Sequence, residues 1–213
     1  MVPPLSFLLA AVTAAARPVV VELYTARGCA ACIPAERALR RMDGRPGVIL
    51  LTLPVTYWDA QMRDPDARPV FTARQMRYAR IAKREAYTPQ FVVGGRFAFS
   101  DPARLNDALA AGRADRGPTI EARGATLTIG ADAIMARPAT VWLAHVRASS
   151  RSVPYRARPH ERRVGLVTSI QAIGSWRGAI ARLRLPPPRS AVERIVLVQG
   201  DEGGAIVAAA RLP

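Results

Sequence analysis

Two apolar runs with a helical pattern between them constrain the fold of this chain more than any other feature of its sequence. The runs occupy residues 18–25 and 48–53, and each is predominantly apolar. Continuous apolarity over this length is typical of strands that are covered on both faces. Residues 30–42 have a helical pattern that ends before Asp43 and Gly44. A strand, a helix and a strand in this order predict a βαβ unit with a parallel strand pair and a right-handed crossover.

The chain that follows, up to Gly112, alternates between helix and strand. Residues 70–86 are predicted to be helical. Residues 90–93 and 96–99 flank two consecutive glycines, and strand-like runs around such a turn predict a hairpin. Ser100 is the predicted N-cap of a further helix, which Gly112 ends.

Beyond Gly112 the pattern changes to short strand-like runs separated by turn residues. These runs are residues 119–123, 125–129, 139–146, 164–173, 179–185, 194–198 and 205–209. Short strands at this spacing predict a small antiparallel all-β domain, either a sandwich or a barrel. We place the boundary near residues 115–118, so that residues 17–114 form one domain and residues 118–213 form another.

The first sixteen residues carry no charged side chain, and residues 5–16 form an apolar run that ends in three alanines. This run is too short to cross a bilayer as a helix, but it matches the apolar segment and small-residue cleavage site of a signal peptide. No basic residue precedes Leu5, and a buried N-terminal strand or helix is the alternative. The signal-peptide interpretation predicts export to the periplasm or out of the cell, where a disulfide persists.

The chain is strongly basic, with 31 basic and 16 acidic side chains and a formal charge of +15. Half of its residues are hydrophobic, so the composition excludes a disordered basic tail. The charge is spread along the chain and no nucleic-acid-binding motif accompanies it, so we expect no specific nucleic-acid partner. A general basic surface instead predicts weak attraction to anionic membranes. The densest basic stretch, residues 147–163, is interpreted as a solvated loop, with anion binding as the alternative.

The two cysteines, Cys29 and Cys32, fall between the first strand and the first helix. Cysteines three apart in a first helical turn lie within disulfide reach, and the helix N-terminus favours a thiolate. We therefore expect an exposed Cys29 to be the nucleophile and Cys32 to be the resolving thiol. Arg27 would lower the pKa of Cys29 further if its guanidinium points at the sulfur.

The CxxC spacing also occurs in zinc sites and in disulfides that only stabilise the fold, which we call structural clips. A zinc site needs four ligands, and His145 and His160 stand in the other half of the chain without ligand spacing. No metal and no other cofactor is predicted, while a structural Cys29–Cys32 clip stays open as an alternative.

Two further residues near this motif are candidates for roles in chemistry or substrate binding. Glu22 is a carboxylate on an otherwise apolar strand, either a proton acceptor for Cys32 or a charge that pairs with an arginine. Trp58 follows the second strand, where parallel sheets place their ligands, and is either a substrate platform or a loop anchor.

Several of these segments resemble an exported bacterial thioredoxin-like family of unknown function. The resemblance is carried by residues 20–25, 28–36, 55–59, 63–65, 71–75 and 87–90, and more weakly by 141–143 and 196–199. It implies an α/β thioredoxin-like domain followed by the β domain. It also implies that Pro89 lies in a cis peptide against the CxxC pair, with Thr88 beside the bound substrate. Ala30 and Ala31 stand where the family usually has serines, and Thr56 where it commonly has aspartate.

The sequence thus predicts a thiol–disulfide oxidoreductase-like protein of the bacterial cell envelope. Cys29, Cys32, Pro89 and Glu22 are the expected catalytic residues, and Thr88, Trp58 and Arg27 are the expected substrate contacts. The partner is a protein or a small molecule that carries a thiol or a disulfide. The alternative is a non-enzymatic envelope binding module in which the Cys29–Cys32 disulfide is a structural clip.

Overall fold

The computed structural model describes residues 17–112, 117–132, 138–147, 154–155, 158–200 and 204–213. The predicted signal peptide, residues 1–16, lies outside the described residues, as do residues 115 and 116 of the predicted boundary. None of the helices in the described part of the chain is long and apolar enough to cross a membrane.

Helices are confined to the first half of the described chain. They are α1 (Cys32–Arg40), α2 (Pro69–Ile81), and a short 3-10 helix (Pro102–Arg104) that runs into α3 (Leu105–Gly112). The third helix begins one residue later than expected, because the Asp101 carboxylate, and not Ser100, accepts the Ala103 N–H at 2.9 Å. The second helix was predicted to reach residue 86 but ends at Ile81. Lys83 has a left-handed φ of 50° just beyond its last turn.

The described strands agree closely with the predicted runs of the sequence, except for two short strands, Pro154–Tyr155 and Arg158–Arg162, which lie where a solvated loop was expected. They are β1 (Val19–Thr25), β2 (Val48–Pro54), β3 (Gln90–Val93), β4 (Phe97–Phe99), β5 (Ile120–Arg123), β6 (Thr126–Ile129), β7 (Ala139–Arg147), β8 (Pro154–Tyr155), β9 (Arg158–Arg162), β10 (Leu166–Trp176), β11 (Ala181–Arg184), β12 (Val192–Gly200) and β13 (Ile206–Leu212). β1 pairs with β2 in parallel, so the predicted βαβ unit is confirmed. β3 and β4 pair antiparallel around the two glycines, so the predicted hairpin is confirmed as well.

The expected division into an α/β thioredoxin-like domain and a separate small antiparallel β domain is wrong. Strands from both halves form one mixed eight-stranded sheet in the order β13-β12-β7-β10-β2-β1-β3-β4. The halves join where β10 pairs in parallel with β2 at Leu166 and Thr52, and the Thr52 N–H donates to Gly165 O at 2.7 Å. The physical reason lies in β2, which is buried along its whole length. An apolar strand of this kind needs a hydrogen-bonded neighbour on each side, and β10 supplies the second one.

The hydrophobic core also crosses from one half to the other. One cluster joins α1 and α3 to β1–β4 through residues such as Leu39, Leu109 and Phe91. A second cluster contains Phe71 and Tyr78 of α2 together with Trp142, Leu197 and other side chains of the late strands. This second cluster also includes both cysteines, so the CxxC motif belongs to a core that both halves of the chain build.

A smaller sheet covers part of the late strands. Its order is β11-β6-β5, and Leu127 and Ile129 of β6 pack with Val141, Val196 and Trp176. The predicted hairpin around Gly124 therefore exists, but it packs on a continuation of the main sheet. A two-stranded pair, β8 and β9, completes the described strands.

Candidate functional site

The two cysteines form a disulfide at the start of α1. Their Cα atoms are 5.4 Å apart, and the Cys32 N–H donates to Cys29 O at 3.2 Å, so the pair spans the turn that leads into α1. Cys29 is 1% exposed and Cys32 is fully buried, whereas Ala30 and Ala31 between them are exposed. The expectation of an exposed Cys29 is therefore wrong for the disulfide-bonded form. The reason is tertiary, because Cys29 belongs to a core cluster whose members come from β1, β2, α2 and the late strands.

The segment before β3 leaves the sheet at the same end as the CxxC motif. Gln90, the first residue of β3, lies opposite Tyr24, the penultimate residue of β1. The Thr88–Pro89 peptide is cis and Pro89 is buried. The chain that enters β3 and the chain that leaves β1 toward Cys29 are therefore neighbours.

Trp58 connects these two segments. Its Nε1 donates to Thr88 Oγ1 at 2.8 Å, and its ring lies so close to Gly28 that a Cβ there would be 3.3 Å from Trp58 Cε3. The side chain is partly buried and packs on the cluster that contains both cysteines. These contacts are those of a loop anchor, and they bring Gly28, Trp58 and Thr88 together.

Tyr57 reaches the same segment through Gln75. Its hydroxyl donates to Gln75 Oε1 at 3.1 Å. Gln75 in turn donates to Tyr87 O at 2.7 Å and to Gln90 Oε1 at 2.9 Å. The α2 helix thus holds residues 87–90 through a buried glutamine that the sequence did not single out.

Glu22 pairs with an arginine, one of the two roles considered for it. The carboxylate is fully buried and accepts from Arg74 Nε at 2.7 Å and from Tyr24 at 3.1 Å. It also accepts from the Tyr78 hydroxyl, which itself accepts from Gln199 Nε2 at 2.8 Å. Burial and the negative charge of Glu22 raise the pKa of Tyr78 far above its ordinary range, so the phenol stays a donor. Glu22 thus belongs to a buried hydrogen-bond network that joins β1, α2 and β12, which we call the Glu22 network. Its role as a proton acceptor for Cys32 stays a prediction.

A second buried charge cluster, which we call the Arg163 cluster, consists of Arg163, Asp64, Glu36 and Asp66. Arg163 is 3% exposed and donates to the two carboxylate oxygens of Asp64 at 3.0 and 2.6 Å. Its Nε lies 3.6 Å from Glu36 Oε1, and its Nη1 lies 3.6 Å from Asp66 Oδ2. Arg163 stands just before β10, so a residue of the second half of the chain neutralises carboxylates of the first half.

The Arg163 cluster reaches both sides of the CxxC motif. Glu36 lies one helical turn after Cys32 and accepts from Thr25 Oγ1 at 2.6 Å, at the end of β1. Asp64 accepts a hydrogen bond from the backbone of Arg27, two residues before Cys29. Burial opposes ionisation of Asp64, but the hydrogen bonds and charge of Arg163 outweigh it and hold the pKa of that carboxyl below its ordinary value. Arg27 contributes here through its backbone, and its side-chain role toward Cys29 stays a prediction.

Sequence reasoning missed the role of Arg163. The interpretation of residues 147–163 as a solvated loop is wrong for Arg163, which is buried. Arg147, at the other end of the stretch, is partly exposed and lies 3.9 Å from Asp66. Residues 148–153, 156 and 157 lie outside the described residues. The one signal in the sequence was Asp64 itself, which stands within the motif that carries the family resemblance.

Of the two histidines weighed as zinc ligands, the structure describes the side chain of His145, which contacts a serine of β10. His145 Nδ1 is 3.0 Å from Ser169 Oγ on β10, and burial, with the charges of Arg189 and Arg194, lowers the pKa of this imidazole. Within the described ranges, no group of three or more His, Cys, Asp or Glu side chains is arranged to hold a metal ion.

Comparisons with solved structures agree with this architecture. A crystal structure of a structural-genomics target protein from Agrobacterium tumefaciens is 29% identical, with a TM-score of 0.77 over 92% of this chain and 94% of that one. HBP35 of Porphyromonas gingivalis is 14% identical, with a TM-score of 0.60 over 92% of this chain and 75% of that one. The second likeness shows the fold alone.

Comparisons with sequences identify the family. None of the curated proteins compared with the chain matches it. The model of a family described as protein of unknown function (DUF1223) matches residues 20–199, a span that includes the CxxC motif, Asp64, Pro89 and Arg163. The chain therefore belongs to the DUF1223 family.

Proposed function

We propose that the protein exchanges thiols and disulfides through the Cys29–Cys32 pair. The observation that carries this proposal is the position of the disulfide. It closes the turn that leads into α1, where amide donors and the helix dipole favour a thiolate, at the same end of the sheet as the Thr88–Pro89 segment. Trp58 and Tyr57 hold that segment beside Gly28. The chemistry needs no cofactor.

The proposed exchange has two steps. A substrate thiolate attacks Cys29 Sγ, the Cys29–Cys32 bond breaks, and Cys32 leaves as a thiolate that takes up a proton. A second thiolate of the substrate then attacks the substrate sulfur of the mixed disulfide and releases Cys29. The substrate dithiol loses two electrons and becomes a disulfide, and the protein gains them as two thiols. The reverse sequence reduces a substrate disulfide.

Burial of Cys29 means that the site must open for this exchange. A thiolate reaches the sulfur only when the side chains that cover it move, and Trp58 is the partly buried residue that packs on the cysteine cluster. We therefore assign Trp58 to gating as well as anchoring, and we keep Thr88 and Pro89 as the segment that meets the substrate once Trp58 has moved.

A structural clip is the second candidate, and the burial of both sulfurs favours it. Cys29 is 1% exposed and Cys32 is 0% exposed, so their disulfide is shielded from thiolates in solution. Structural disulfides have reduction potentials below about −300 mV, whereas exchange-active pairs lie above that value. In this candidate the protein is a non-enzymatic binding module of the cell envelope.

One pair of measurements separates the two candidates. The first is the Cys29–Cys32 reduction potential, measured by equilibration with dithiothreitol buffers and alkylation of the free thiols. The second is the mixed disulfide that the reduced Cys32→Ser variant forms with a model disulfide such as oxidised glutathione, which releases one glutathione thiol, with Cys29→Ser as the matched control. Exchange predicts a potential above about −300 mV and an adduct with Cys32→Ser alone. A lower potential without an adduct assigns the pair to a clip.

We also propose that the protein is exported and that its +15 charge draws it weakly to anionic membranes. An uncharged N-terminal segment that ends in three alanines supports export. Cell fractionation of the full chain tests this, and retention of the uncleaved chain in the cytoplasm would contradict it.

A further inference from the structure

An open groove lies beside the segment that enters β3. We call it the α2 groove. Its volume is about 470 Å³, within the range of ligand sites, and its walls include Tyr57, Met76, Ala79 and Ala86. Tyr57 and Met76 are 39% and 42% exposed, so large apolar side chains face solvent there. An exposed apolar concavity of this kind marks a surface that binds a partner.

The α2 groove is continuous with the disulfide site. Tyr57 forms one wall, and its hydroxyl donates to Gln75, which holds the residues on either side of Thr88–Pro89. Trp58 follows Tyr57 in the chain, donates to the Thr88 hydroxyl and packs against Gly28, next to Cys29. A chain segment that lies in the groove and continues past Thr88 is therefore led toward the CxxC motif.

The charged residues that line the α2 groove indicate which kind of partner it binds. Exposed guanidinium groups of Arg80 and Arg84 line it, and Glu85 is the one acidic residue of the lining. A second, smaller concavity shares Arg84 and Glu85 and extends to Arg96 and the exposed Ala98 of β4. The rim is therefore net positive, which complements a segment that carries carboxylates beside apolar side chains.

We propose that the α2 groove is the docking site for the polypeptide substrate of the Cys29–Cys32 pair, a segment with a large apolar side chain flanked by acidic residues. This inference rests on the proposed function and narrows its substrate from any thiol to an acidic polypeptide. The apolar side chain packs between Tyr57 and Met76. The acidic residues pair with Arg80 and Arg84, and the substrate cysteine lies toward Thr88.

The test compares two cysteine peptides and one small dithiol as reductants of the oxidised full chain. The first peptide has leucine and aspartate around its cysteine, the second has lysine in place of aspartate, and dithiothreitol is the small dithiol. The groove variant is Arg80→Glu/Arg84→Glu. Its matched control is Arg123→Glu/Arg182→Glu, which makes the same charge change at exposed positions of the three-stranded sheet.

Docking in the groove predicts a faster reaction with the acidic peptide than with the basic one. The groove variant should lose about tenfold of the acidic-peptide rate at low ionic strength, because rim charges act mainly on association and are screened by salt. Its rate with dithiothreitol should equal that of the unaltered protein, and the control variant should keep both rates. Met76→Ser should lower the acidic-peptide rate without changing its salt dependence.

Three results of these comparisons would overturn the inference. Equal rates for the two peptides would show that the groove makes no charge selection, and equal losses in the groove and control variants would assign the effect to overall charge. Vesicles of anionic lipid that bind the groove variant much more weakly than the control would assign the groove to a membrane instead.

A binding measurement separates this inference from the proposed function. Fluorescence anisotropy of the acidic peptide with serine in place of cysteine reports docking without exchange. If dithiothreitol does not reduce the protein and the serine peptide still binds through Arg80 and Arg84, the exchange proposal fails and the docking site stands. If dithiothreitol reduces the protein and no binding occurs, the docking site fails alone.

Discussion

At the scale of single residues, Arg163 has the clearest consequence for stability. Its side chain is 2% exposed and holds the 1% exposed side chain of Asp64 through two hydrogen bonds, with Glu36 close by. Removing one member of such a group leaves buried charge without compensation, which is costly in a low-dielectric interior. The residue therefore stabilises the segments on both sides of the CxxC motif.

We predict that Arg163→Met lowers the free energy of unfolding by about 3–5 kcal/mol. Urea unfolding with the disulfide intact measures the change. Arg123→Met is the matched control, because this 90% exposed arginine lies 3.8 Å from Glu121, and exposed pairs contribute at most about 1 kcal/mol.

The double variant Arg163→Met/Asp64→Asn sharpens this prediction. It removes the two opposite charges that are most closely paired, so it should be less destabilised than Arg163→Met alone. Equal losses in the single and double variants would contradict the charge argument and indicate lost packing.

At the scale of elements, α2 carries an unusual number of buried polar side chains for a short helix. Arg74, Gln75 and Tyr78 are all buried, and each contacts a different part of the molecule. Arg74 and Tyr78 reach Glu22 of β1, Gln75 reaches residues 87 and 90, and Tyr78 also accepts from Gln199 of β12. The helix therefore joins the first strand, the Thr88–Pro89 segment and a late strand.

We predict that Tyr78→Phe lowers the free energy of unfolding by about 1–3 kcal/mol, because it leaves Glu22 and Gln199 each short of a buried partner. The ring volume is kept, so packing changes little. Tyr57→Phe is the control, since Tyr57 is 39% exposed and water can replace its hydrogen bond to Gln75, so it should cost less than about 1 kcal/mol. Urea unfolding measures both variants, and similar losses of unfolding free energy in the two would contradict the role assigned to the Glu22 network.

At the scale of the whole molecule, the two halves of the chain depend on each other. β10 completes the edge of β2, and Trp142 and Leu197 share a core cluster with Phe71 and both cysteines. The hairpin turn is part of the same connection, because Ile206 N–H donates to Gly94 O at 2.9 Å. A Cβ on Gly95, whose φ is 68°, would lie 2.5 Å from Gly204 O, so the close approach requires glycine.

We predict that the chain unfolds in a single transition, because no core cluster of the α2 face belongs to one half alone. Tryptophan fluorescence and far-ultraviolet circular dichroism should give coincident urea curves. A fragment of residues 17–112 should show no cooperative transition, since it exposes the face of β2 and α2 that the late strands cover. Two separate transitions, or a cooperatively folded fragment, would show independent units.

The local elements could be predicted from the sequence to within a few residues. The βαβ unit, the Gly94–Gly95 hairpin and the β5–β6 hairpin depend on periodicity and turn residues, which are properties of neighbouring positions. The candidate site was also found in part, because the CxxC spacing and the Thr88–Pro89 dipeptide are local patterns. Glu22 was recognised as unusual, but its partner Arg74 is far along the chain and no pattern links the two.

By itself, the sequence determined where the strands and helices lie, that the only two cysteines stand together at a helix start, and that the surface is basic. Only the tertiary structure decided that the late strands extend the first sheet, that Arg163 neutralises Asp64 inside the protein, and that Cys29 is buried. The physical reason is the distance along the chain over which each effect acts. Periodicity and capping act within one or two turns, whereas strand pairing, ion pairing and burial depend on which distant segments share one core.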